Sequence, residues 1–114
     1  MVLDVRAAEY HPAPGAQASS AEEAICLSWS LDKQQAGRFL TLSTELGEGE
    51  LHRFDWLPCS IKGRASVQGA MFEFEINAAG TSTWRNGETT RLMGCSLAEC
   101  GSLLILVPGG EDYQ

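Results

Sequence analysis

The 114-residue sequence contains no long hydrophobic run. Its longest, Leu103 to Val107, falls far short of the ~20 residues a membrane-spanning helix needs. Asp4 and Arg6 interrupt the early apolar stretch of "MVLDVRAAEY", so the N-terminus reads as a strand and not as a secretory signal. Basic residues are also scarce, 8 against 15 acidic ones, for a net charge of −7. That field repels phosphate backbones and anionic membrane surfaces, and it attracts a cationic protein partner. No G-x-G-x-x-G, Walker loop, G-x-S-x-G, H-E-x-x-H or EF-hand loop is present. These absences leave no reason to expect an enzyme, a cofactor or nucleic-acid binding. They point to the cytosol, where the four cysteines would stay reduced.

What is present is the alternation of apolar and polar residues that marks half-buried strands. In "VLDVRAAEY", Leu3, Val5 and Ala7 share a face; in "AICLSWSL", so do Ile25, Leu27, Trp29 and Leu31. Between them residues 11–23, rich in Pro, Ala and Ser, read as a long exposed loop. "GRFLTLSTEL" and "ELHRFDWL" read as a further strand pair around "GEGE", with "DKQQAG" a turn. "LPCSIKGRASVQG" is ambiguous, with Gly63 and Gly69 marking turns. "AMFEFEIN" puts Phe72, Phe74 and Ile76 opposite Glu73 and Glu75. "NAAG" turns the chain into "TSTWR", and Asn86-Gly87 signals a type I′ hairpin into "TTRLM". "SLLILV" reads as a central strand covered on both faces, followed by a polar tail at 109–114. The expected architecture is one mostly β domain over 1–114. It is an antiparallel sandwich or flattened barrel of about eight strands, with a C-terminal meander and at most one short helical turn.

The most site-like stretch is "GCSLAECG". The C-x4-C spacing of Cys95 and Cys100 fits neither a zinc knuckle nor a C-x-x-C redox motif. Ser96 and Glu99 have capping-box spacing and Gly101 suits a C-terminal stop, so the stretch reads as one helical turn. Both cysteines then read as small buried residues, with an i to i+5 disulfide open to them under oxidising conditions. "LHRFDWLPC" holds His52, Asp55 and Cys59, but His52 and Asp55 would face opposite sides of a strand and form no triad.

The functional expectation is therefore a small acidic cytoplasmic protein-binding module without catalytic machinery. Its sharpest form is an immunity- or antitoxin-type inhibitor of a basic enzyme. The expected partner-binding face is the polar side of the meander: Glu73, Glu75, Arg85 and Arg91, with Trp84 at its edge. Alternatives are a thiol or zinc site using Cys95 and Cys100, and a small-molecule pocket near Trp56 and His52.

Overall fold

A computed structural model of the chain describes residues 2–47, 49–50 and 56–105. Strand β1 (Val2–Tyr10) leads into helices α1 (Ser20–Ser28) and α2 (Lys33–Leu42), then into the short strand β2 (Thr44–Glu45). Strands β3 (Cys59–Val67), β4 (Ala70–Asn77), β5 (Thr81–Asn86) and β6 (Thr89–Gly94) follow as a meander, and helix α3 (Ala98–Gly101) comes after them. All six strands join one antiparallel sheet in the order β1-β3-β4-β5-β6-β2. The two helices thus carry the chain from one sheet edge to the other. The class is mostly β, as expected, but among the described residues the strands form a single open sheet of six and there are three helices. Among the described residues there is no second sheet to make a sandwich or barrel.

The helices arise where alternation had suggested strands. Ser19 caps α1: its Oγ accepts from the Glu22 backbone N–H at 3.3 Å. The Tyr10 hydroxyl ties this cap to β1, accepting from the Ser19 N–H at 2.9 Å and donating to Glu22 Oε1 at 3.3 Å. The face turned to the sheet is Glu22, Ile25, Cys26 and Trp29, an i, i+3, i+4, i+7 stripe. Leu27, part of the apparent strand pattern, is left exposed. In α2, Asp32 and Gln35 form a full capping box at 2.7 and 2.9 Å. Ala36, Phe39 and Leu40 are its buried face. The exposed loop therefore ends at Ser19, not at residue 23, and "DKQQAG" is the first part of a helix.

Elsewhere the sequence pattern and the structure agree more closely. In β4, Phe74 and Ile76 are buried, with Glu73 and Glu75 on the other side. The ambiguous stretch becomes β3, which pairs on both sides. Gln68 and Gly69 turn it into β4 with positive φ at both positions, as a type I′ turn requires. The β5–β6 hairpin is one residue out from expectation. Asn86 pairs with Thr89, so Gly87 and Glu88 are the central residues and only Gly87 has positive φ, which fits type II′. A bulge between Val5 and Ala8 in β1 buries Ala8 and leaves Ala7 exposed. Residues 102–105 of "SLLILV" form no strand. Leu106, Val107 and the 109–114 tail lie outside the described residues, as do Leu51 to Asp55 of "ELHRFDWL".

One face of the sheet carries the core. Leu3 and Ala8, Cys59, Ile61 and Ala65, and Phe74 and Ile76 pack against Cys26, Trp29, Leu31, Ala36, Phe39 and Leu40 from the helical layer. Trp29 is core as expected, and its Nε1–H donates to the Leu103 carbonyl at 3.0 Å. Gly63 does not mark a turn. It sits in mid-strand because a Cβ there would lie 2.2 Å from the Asp4 carbonyl oxygen and 2.4 Å from the Phe74 ring. The cysteines are not free thiols. Cys26 of α1 is bonded to Cys59 of β3, and Cys95 to Cys100. The turn expected after Cys95 exists as α3, but its N-cap is Leu97 with no side-chain bond. Glu99 pairs with Arg38 of α2 instead of closing a capping box.

Candidate interaction face

Because the helical layer lies on one side, the other side of the sheet is left without a covering element among the described residues. Strand register decides what that side presents. Asp4, Arg64, Glu73 and Arg85 stand directly opposite one another on β1, β3, β4 and β5, a row of alternating sign across four strands. The adjacent row is Lys62, Glu75, Thr83 and Leu92. Arg6 at the β1 bulge joins Lys62, Arg64, Glu73, Glu75 and Arg85 around a shallow cavity of about 270 Å³.

Of the expected partner-binding residues, Glu73, Glu75 and Arg85 lie together on this open face. Trp84 and Arg91 lie on the other side. Trp84 pairs with the buried Phe74 and with Arg91, so all three point toward the helical side. Trp84 meets Phe72 edge-on, with ring centroids 5.8 Å apart. Arg91 reaches Glu45 of β2 at 3.9 Å, not the acids of β4.

The open face is not acidic. Asp4, Glu9, Glu73 and Glu75 are matched there by Arg6, Lys62, Arg64 and Arg85, so this face contributes nothing to the net charge of −7. Lys62 is held by Glu9 at 3.4 Å, and His11 Nε2 approaches the same Glu9 oxygen at 2.7 Å. Glu9 is held below the usual carboxylate range chiefly by the hydrogen bond to His11, against the opposing push of partial burial, with Lys62 adding to the lowering. The guanidinium groups of Arg6, Arg64 and Arg85 have no carboxylate within 4.0 Å among the described residues.

At the β3–β5 end of the same face lies a second cavity of about 370 Å³, bordered by His11, Trp56, Pro58, Ser60, Glu75 and Thr83. Asn77 builds its wall. Its side chain accepts from the Leu57 N–H at 3.2 Å and donates to the Leu57 carbonyl at 2.8 Å, strapping the segment that carries Trp56 to β4. His52 and Asp55 lie outside the described residues, and Cys59 is committed to its disulfide. Among the described residues no group of three or more His, Cys, Asp or Glu side chains could hold a metal ion. No described helix is long and apolar enough to cross a membrane. No protein-family model, curated protein or solved structure matches the chain.

Proposed function

We propose that this chain is a non-catalytic binding module that docks a protein partner on the open face of its sheet. The carrying observation is the alternating row Asp4–Arg64–Glu73–Arg85 on a face that no described helix covers. The five longer strands, six to nine residues each at ~4.8 Å spacing, give a platform of about 19 by 25 Å, or roughly 480 Å². A standard protein interface buries about 800 Å² per partner, so the platform supplies more than half of one. Unpaired arginines suit such a surface, since arginine is enriched at interface hot spots and pairs bidentately with carboxylates.

An inhibitor that covers the cleft of a basic enzyme is the sharpest form of this reading. The two charge features would then divide the work. The −7 net charge attracts a cationic protein over a Debye length, and the balanced row fixes its register on contact. Two disulfides belong to an oxidising compartment, so the proposal places folding there and not in the cytosol. Cys26 is paired with Cys59 and Cys95 with Cys100, which favours the sheet face over a site built on free thiols.

Purification from the source cell at low ionic strength tests the reading. The expected result is a heteromeric complex that dissociates as salt is raised, because the encounter is electrostatic. Recovery of the chain alone at low salt would count against it.

A further inference from the structure

The Trp56 cavity differs from the rest of the open face in three respects. It is in the size range of ligand pockets, its visible walls are mainly apolar, and two of its polar side chains, Ser60 and Glu75, have no partner among the described residues. Trp56 itself is 55% exposed, a large aromatic surface at its rim with no role in the core. Ser60, only 5% exposed, borders the cavity, and its Oγ is buried without any hydrogen-bond partner. An orphan of this kind is unfavourable unless something occupies it. Glu75 borders the cavity too, and no cation lies within 4.0 Å of it among the described residues.

The surrounding charges explain why Glu75 stands unmatched. Lys62 is its direct cross-strand neighbour, yet Lys62 is drawn to Glu9 on the far side of β3. His11, which borders the cavity itself, is drawn to the same carboxylate. Asn77 cannot serve either, because its amide is spent on Leu57 and Ala79. What remains is an indole face, apolar walls from Pro58 and Leu92, and oxygen acceptors from Glu75, Ser60 and Thr83. Thr83 is the direct cross-strand partner of Glu75.

We infer that this cavity accepts the side chain of a lysine presented by the protein partner. A primary ammonium has three donors and no acceptor, matching a carboxylate and two hydroxyl oxygens. Its aliphatic stem packs on the apolar walls, and the cation lies against the indole, an arrangement favoured further by desolvation. The inference rests on the binding-module reading for the source of the lysine.

The probe is Nα-acetyl-lysine methylamide, whose only charge is the side-chain ammonium, followed by the NMR shift of the Trp56 indole N–H. The control is the norleucine analogue, with a similar stem and no charge. Saturable binding of the lysine probe is expected, with the norleucine analogue and the Glu75→Gln variant each weaker by about tenfold or more, the effect of one charge-assisted hydrogen bond. An unshifted remainder of the spectrum shows that the variant is folded. Equal binding of the norleucine analogue, unimpaired binding by Glu75→Gln, or no shift with either probe would overturn the inference. Tighter binding of free n-butylammonium than of the capped lysine would also overturn it, by assigning the cavity to a free amine. None of these experiments involves the partner, so the cavity can fail while partner capture survives, and the reverse.

Discussion

On the helix-covered side of the sheet, β1, β3 and β4 carry Leu3, Ile61, Phe74 and Ile76, and the layer above is joined by a disulfide. On the open side the same strands carry Asp4, Lys62, Arg64, Glu73 and Glu75, and no described element crosses above them. The backbone is shared, so the difference comes from alternation alone. One set of side chains is chosen for burial, where stability resides. The other is chosen for charge pattern, where only modest stability is at stake. If that division is right, substitutions on the two sides should separate cleanly into those that unfold the protein and those that leave it folded but unable to bind.

The largest loss should come from Phe39→Ala, which empties a fully buried site between α2 and the sheet and should cost about 3–5 kcal/mol in denaturant unfolding. Replacing Cys26 and Cys59 together by alanine opens a constraint spanning 33 residues and should cost about 4 kcal/mol on the chain-entropy model. The local Cys95–Cys100 bond spans only 5 residues, and its removal should cost about 2 kcal/mol by the same reasoning. An inversion of the two disulfide effects would mean that loop length does not set their contributions. The smallest effect concerns Glu9, whose carboxyl is lowered in the folded protein. A lowered pKa gives stability that is present above the ordinary carboxylate range and lost as pH falls through the folded value. For so accessible a group the loss should be on the order of a few tenths of a kcal/mol. Comparing wild type with Glu9→Gln along an acid titration would show it, the difference vanishing at the acid end.

The meander was legible because local signals agreed. The alternation of "MFEFEI" and the glycines at 69, 80 and 87, all with positive φ, specify strands and turns independently. Helix α1 was hidden because Ile25, Leu27, Trp29 and Leu31 happen to alternate, while the true helical stripe includes the polar Glu22 and the small Cys26. Ser19 with Glu22, and Asp32 with Gln35, were the cap signals that mark both helices. The Cys26–Cys59 bond could not be read from spacing, since four cysteines allow three pairings. At the site, strand-internal alternation placed Glu73 and Glu75 correctly relative to each other. It could not relate them to Trp84 and Arg91 on neighbouring strands, because faces are matched across strands only by register. The neutralising cations Arg6, Lys62 and Arg64 are not legible for the same reason, since nothing in the sequence places β3 between β1 and β4.

The most direct test of the two-sided account is one double variant, Arg64→Ala with Arg85→Ala, measured for both thermal unfolding and partner capture. The account predicts a Tm within about 4 °C of wild type, since exposed substitutions cost about 0.5 kcal/mol or less each. It predicts at the same time a loss of partner affinity of about tenfold or more, as removal of interface arginines produces. Unchanged capture, or a fall in Tm as large as that caused by Phe39→Ala, would contradict it.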